Sequence, residues 1–306
     1  MELLGKTNID FIGKRNIAFA ISIIISIAGL IGIIQIARGT ANMGIDFSGG
    51  TSMQLKFTKP LPIAKARTAL HKNGIAKADL QEIADGNKLL IKIDRNTSLA
   101  LGKAADAVQT AFKKEFTDNT FTVESSTEIG PSIGDKLRKD TLVAVAISLL
   151  GIIIYIAWRF DLKFGIGATL ATMHDCLAMF AVFFILDKEI NLMFITAVLT
   201  IAGYSLTDTV VVFDRIRENM HKNMKEALHN VFNRSINEVL SRTIVTSLTV
   251  LLASASLFFF GGEVIHDFSF ALLIGVLVGT YSSVFVASPV VLLLENRALS
   301  RLGKKS

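Results

Sequence analysis

The sequence predicts a polytopic α-helical membrane protein with six transmembrane helices and one small α+β domain between the first and second. Three observations predict it. Of 306 residues, 51% are hydrophobic and only 19% charged, and mean hydropathy is +0.51; a soluble domain carries about 25% charged residues. Six windows are long and apolar enough to cross a bilayer, which takes about 20 residues. Between the first two lies a stretch of about 100 residues whose alternation and turn signals are those of a folded domain. The same composition excludes a disordered chain, and a single cysteine, Cys176, excludes a disulfide framework. A net charge of +6 suits nucleic acid or anionic lipid, and the placement of the basic residues favours lipid.

The first span runs from Ile17 to Ala37 without a charge. Lys14 and Arg15 stand directly before it, and its apolar core is longer than that of a cleaved leader, so a permanent helix is expected. The second span, Thr141 to Trp158, is bracketed by Asp140 and Arg159. The third, Phe164 to Leu186, is interrupted by His174 and Asp175. The fourth, Ile190 to Phe213, contains Asp208. The fifth runs from Thr243 to Gly261, and the sixth, Phe268 to Leu294, is uncharged.

Lysine and arginine concentrate at one set of ends: Lys14 and Arg15, Arg159 and Lys163, the segment 214–242, and the tail 295–306. The short loops at the other ends hold Lys188 beside Asp187, Glu189, Glu263 and Asp267. By the positive-inside rule both termini are expected in the cytoplasm, with residues 38–140 on the other side of the membrane.

That outer segment reads as strand Ser52–Phe57, helix Pro62–Asn73 stopped by Gly74, and strands Asp79–Ala84 and Lys88–Asp94 around the turn Asp85-Gly86-Asn87. Helix Leu99–Phe116 and strand Thr120–Ser125 follow. The order β-α-β-β-α-β is that of a ferredoxin-like unit. Its charged residues read as solvated faces. Between spans four and five, residues 214–241 are too polar to cross. Ile216, Met220, Met224, Leu228, Val231 and Phe232 recur there at helical spacing, which fits an amphipathic helix on the inner membrane surface or one packed on the ends of the bundle. No nucleic-acid motif accompanies its bases.

The sequence holds no HExxH and no phosphate-cradling loop, since Gly303-Lys304-Lys305-Ser306 lacks the first glycine. No cluster of Cys and His has metal-ligand spacing. No metal, no cofactor and no catalytic constellation is therefore expected, and the chain does not read as an enzyme.

An ionisable side chain at the bilayer centre costs about 2.5–3.5 kcal/mol on insertion scales, so it marks a function or a partner. Two places qualify. Asp208 sits in the polar stretch Tyr204–Thr209, and His174-Asp175 lies about 15 Å along the third span at 1.5 Å per residue. Asp208, near the inner end of span four, and Arg242, at the inner start of span five, come to similar depth. Two readings fit such a pair: a carboxylate that takes up and releases a proton, or a static ion pair that fixes helix register. Gly275, Gly279 and Ser283 repeat on span six at the spacing that admits close helix contact.

Several segments together resemble a known family. They are Gly44-Ile45-Asp46-Phe47-Ser48-Gly49-Gly50-Thr51, Ile129-Gly130-Pro131-Ser132-Ile133-Gly134, His174-Asp175, the long run from Ala202 through Asp208 and Asp214 to Asn219, Ser241-Arg242-Thr243, and Gly261-Gly262. In this order, over essentially the whole chain, they resemble the SecF family, the smaller subunits of the bacterial SecDF translocation accessory complex. Thr207 stands where many members carry Asn and leaves Asp208 in place.

The resemblance implies a bundle of the resistance-nodulation-division type, in which six helices pair with six of SecD beside the SecYEG channel. It implies work on the translocating polypeptide, driven by proton flow. It also implies that Asp208 and Arg242 serve proton transport. His174, Asp175, Ser205, Thr207 and Asp214 are candidate supporting positions, and for His174 and Asp175, which match a family motif, a role in packing or helix orientation fits equally. Asp46, with Gly44, Gly49 and Gly50, is expected to form a tight turn, because glycine reaches positive φ without strain. The rivals are a small-molecule or metal exporter subunit of the same superfamily and a non-transporting membrane scaffold. Half the usual spans and one small outer domain count against the exporter.

Overall fold

A computed structural model of the chain describes residues 7–75, 78–83, 87–94 and 103–302. In chain order the elements are α1 (Arg15–Arg38), α2 (Ile45–Ser48), β1 (Gly50–Phe57), α3 (Ile63–Lys72), β2 (Ala78–Ile83), β3 (Lys88–Asp94), α4 (Ala104–Glu115) and β4 (Phe121–Ile129). Then come α5 (Pro131–Arg159), α6 (Leu162–Ile185), α7 (Leu192–Lys222), α8 (Leu228–Phe260), α9 (Glu263–Ser282), a π-helical turn (Ser283–Ala287) and α10 (Ser288–Leu302). They fall into two units, Met43–Val143 and the remainder, Met1–Asn42 with Ala144–Ser306.

In the smaller unit the sheet order is β2-β3-β1-β4 with every pair antiparallel, the ferredoxin-like arrangement. Alternation puts Met53, Leu55 and Phe57 of β1 on one face, with Leu89, Ile91 and Ile93 of β3 beside them. Against that face pack Ala66, Ala69 and Leu70 of α3 and Val108, Ala111 and Phe112 of α4. Leu55 pairs across with Leu89 and Met53 with Ile91, so the core is built from cross-strand partners.

Strand β4 extends to Ile129, past the expected end at Ser125. The register shifts between Gln54 and Leu55, which pair with Ser125 and Val123, so Glu124 is an extra residue in a bulge. A bulge flips the side-chain parity and hides the alternation. The turn at Asp85-Gly86 and the start of the helix expected from Leu99 lie outside the described residues. At the entry to β1, α2 is one helical turn, and Gly49 and Gly50 follow with φ of 72° and 136°, a left-handed backbone that disfavours any other residue.

Among the described residues six helices are long and apolar enough to cross a membrane: α1, α5, α6, α7, α8, and the α9–α10 run taken together; all but the start of α5 belong to the larger unit. Its core joins Phe160, Phe164, Phe213, Ile216, Phe232, Ile236 and Val291, with Phe164 and Phe213 edge to face at 5.1 Å. Glycines set the closest approaches. A Cβ on Gly29 of α1 would overlap the Leu177 carbonyl of α6, and one on Gly279 would lie 2.9 Å from the Ser205 Cβ of α7. The small residues of span six therefore meet α7.

Two features depart from the expected spans. Span six is not a uniform α-helix but widens into the π turn at Ser283–Ala287. Ser288 Oγ donates to the Ser283 carbonyl at 2.9 Å across this turn, and Pro289, which has no N–H to give, follows it. Residues 214–241 are not one surface helix. Helix α7 continues to Lys222, the chain turns through 223–227, and α8 starts at Leu228. Ile216, Val231 and Phe232 are buried in the bundle core. The periodicity is that of two helices packed on each other.

The N-terminal residues lie along α8. Asn237 Oδ1 accepts the Ile9 N–H and its Nδ2 donates to the Ile9 carbonyl, both at 2.9 Å. Asn233 Oδ1 accepts from the amides of Phe11 and Ile12, at 2.9 and 3.2 Å. The Gly13 amide, then Asn233, hold the Asp10 carboxyl below its ordinary range.

Candidate functional site

Helix α7 carries buried polar groups toward two sets of neighbours. The first set is with α6 and α9. Asp175 is wholly buried and His174 is 5% exposed; each sits mid-helix on α6, where only packing and hydrogen bonds compensate for lost water. His174 Nδ1 lies 3.1 Å from Asp175 Oδ1. Asp175 Oδ2 accepts hydrogen bonds from Ser205 of α7 and from Ser282 of α9. The ring of Tyr281 lies 6.1 Å from that of His174, and its hydroxyl donates to the Ala18 carbonyl of α1. His174 Nε2 is buried with no hydrogen-bond partner.

The second set is with α8. Asp208 is 6% exposed. It faces the Ser247 and Thr246 side chains and lies within electrostatic reach of Arg242. Its Oδ2 and the neighbouring Thr243 Oγ1 are both buried without a hydrogen-bond partner. Ser247 meets Thr280 of α9 at 2.6 Å and accepts from Tyr204 at 3.5 Å. No ion pair within 4.0 Å joins Asp208 to Arg242, whose side chain is exposed on α8. The expected pair is therefore two groups within electrostatic reach on adjoining helices, not a closed salt bridge.

The other predicted positions divide. Ser205 belongs to the first set, one turn before Asp208. Thr207 is exposed, and its hydroxyl donates to the Gly203 carbonyl at 3.2 Å. Asp214 is held by Arg159 of α5, one guanidinium nitrogen lying 2.8 and 2.6 Å from its two oxygens. Gly44, Asp46, Gly49 and Gly50 lie in the smaller unit, around α2. Among the described residues no group of three His, Cys, Asp or Glu is placed to hold a metal ion, and Cys176 is half-buried on α6.

Sequence reasoning missed Ser282, Ser247 and Thr280. A signal existed: Thr243 and Ser247 repeat one turn apart, and Ser282 adjoins the Gly275, Gly279, Ser283 series. Hydropathy hides such hydroxyls because each can bond its own helix, as Thr280 does to the Val276 carbonyl.

Comparison with known proteins identifies the family. Residues 108–297 match the family described as protein export membrane protein SecD/SecF, C-terminal, and residues 41–61, which include the Gly49-Gly50 turn, match the SecD/SecF GG motif. The protein translocase subunit SecF of Thermodesulfovibrio yellowstonii is 55% identical over 98% of this chain and 99% of its own. That of Calditerrivibrio nitroreducens is 39% identical over 97% of each. Among solved structures, SecDF of Thermus thermophilus, a translocon-associated membrane protein, superposes with a TM-score of 0.83 at 34% identity, covering 95% of this chain. A super-membrane-facing form of SecDF gives 0.72 at 34% identity. The present chain spans 39% and 41% of those longer chains. With matches that run almost end to end and take in both the glycine turn and the buried carboxylates, the chain belongs to the SecF family of protein translocase subunits.

Proposed function

We propose that this chain assembles with a SecD partner in the bacterial inner membrane, both termini cytoplasmic, and uses the proton motive force to promote late translocation and release of polypeptides leaving the SecYEG channel. The observation that carries this reading is Asp208: a carboxylate buried in a membrane helix, with one oxygen left unsatisfied. Such an oxygen costs about 1–3 kcal/mol or more, and a proton or a moving partner removes that cost. Arg242, within electrostatic reach on α8, is the group whose approach alternates with proton binding. A proton moves the outer domain only if its binding energy differs between two arrangements, and an open Asp208–Arg242 pair supplies one such difference. The basic flanks of the spans support the orientation, and the unpartnered apolar faces of α5 and α8 suit lipid or a companion bundle.

The test is precursor release from spheroplasts carrying Asp208→Asn. The expected result is normal co-purification with SecD and loss of the gradient-dependent part of release. Normal gradient dependence with intact assembly makes Asp208 structural and sinks the transport role. Loss of assembly itself supports the scaffold reading.

A further inference from the structure

We infer that His174 and Asp175 form a second proton-binding site in the membrane core, loaded at His174 Nε2; the inference deepens the proton-driven reading and rests on it. Asp175 is met by three polar hydrogens when ionised: from Ser205 and Ser282 on Oδ2, and from His174 Nδ1–H on Oδ1. This fixes the tautomer of a neutral His174. Its remaining nitrogen, Nε2, then carries a lone pair, buried and without a partner. In this state the dyad holds one buried negative charge that is hydrogen-bonded but paired with no cation, a costly arrangement in a membrane interior.

One proton entering from a water-accessible side forms an N–H bond at Nε2 and turns the dyad into a neutral imidazolium–carboxylate pair. The same bond breaks when the proton leaves, and nothing else is consumed. Ser282 is built to tolerate the change, since its hydroxyl has a second acceptor in the Gly279 carbonyl at 3.1 Å. If the carboxylate weakens as an acceptor, Ser282 turns to that carbonyl and leaves no orphaned donor.

Around the dyad, α6 adds Cys176, α7 brings Ser205, α9 brings Tyr281 beside Ser282, and α1 brings Ser22, which lies 3.2 Å from the Tyr281 hydroxyl. Asp208 lies one turn on from Ser205, directed toward α8. Ser205 ties the dyad to α7 at a position that shares a helical face with Asp208. Loading the dyad therefore alters the hold on the helix that carries the other carboxylate.

The experiment is nitrogen NMR of the full chain in lipid nanodiscs, labelled at its five histidines, as pH is lowered from about 9 to about 5. His174→Asn assigns the resonance, because Asn keeps a donor toward Asp175 without a basic nitrogen. Should that variant not accumulate, replacing the other histidines assigns it by elimination. The expected result is passage of His174 from a single neutral tautomer to the imidazolium, with the transition moved by Asp208→Asn. A ring that stays in one neutral tautomer throughout overturns the site. If His174 takes up its proton while Asp208→Asn leaves gradient-dependent release unchanged, the dyad stands and the role given to Asp208 falls.

Discussion

Asp208 and Asp214 lie less than two turns apart on α7, yet the fold gives them opposite surroundings. Asp208 is buried with an unsatisfied oxygen. Asp214 is 45% exposed and gripped by Arg159, itself 34% exposed. An ion pair so open to its surroundings contributes about 0–1 kcal/mol. Asp214→Asn is accordingly expected to keep gradient-dependent release within about twofold and to lower stability by no more than about 1 kcal/mol. Release assays paired with thermal unfolding check this, and a defect matching that of Asp208→Asn would place Asp214 on the proton path. At this scale the sequence shows which ionisable residues interrupt apolar runs, and His174, Asp175 and Asp208 are buried in the structure, because a charge in such a run needs a function or a partner. It did not show which charges close into pairs. Arg159 lies far from Asp214 in the chain, and only helix packing decides that it, not a group near Asp208, takes that carboxylate.

Elements were legible where one local pattern decided them. Strand β3 starts and ends where alternation placed it, whereas β4 outran its pattern at the Glu124 bulge. In the same domain, α3 and α4 are tied by Lys72 Nζ, which lies 2.9 Å from Glu115 Oε2. That hydrogen bond from Lys72 holds the Glu115 carboxyl below its ordinary value of 4.5. A depressed folded-state value means the contact stabilises the fold fully above that ordinary value, and the contribution is lost as pH falls through the folded one. Protection factors along α4, taken after correction for the intrinsic pH dependence of exchange, are therefore expected to fall in the native chain as pH drops below 4.5. In Glu115→Gln that acid limb should shrink. An unchanged limb would assign the acid sensitivity to other carboxylates. The segment between spans four and five was less legible for a related reason: helical periodicity reports a buried stripe but not what buries it. Lipid surface and neighbouring helix leave the same trace, and here the neighbour is the other helix of the pair.

Across the whole molecule, the contacts that matter most for assembly join residues more than two hundred positions apart, which no local pattern announces. The strap at Ile9–Ile12 is the clearest case. Asn237 reads both the N–H and the carbonyl of Ile9, Asn233 takes two further amides, and Phe11 and Ile12 enter the core that also holds Phe232 and Ile236. Each of these bonds replaces water on a backbone group that would otherwise be only partly sheltered, for a net gain of about 0.5–1.5 kcal/mol apiece. The strap cannot form until α8 has been made and inserted, since its partners lie near the far end of the chain. Replacing Asn233 and Asn237 together by Ala should leave α1 in the membrane but make the amides of Ile9, Phe11 and Ile12 exchange at least tenfold faster. A chain ending at residue 227 should show the same fast exchange with both asparagines absent. Continued protection in that truncated chain would mean that the N-terminal residues fold on α1 alone, and that α1 and α8 are not joined through them. Loss of protection in both chains would establish that the start of α1 is anchored to the helix bearing Arg242. A displacement of that arginine would then reach, through the strap, the helix that leads out of the membrane to the ferredoxin-like domain.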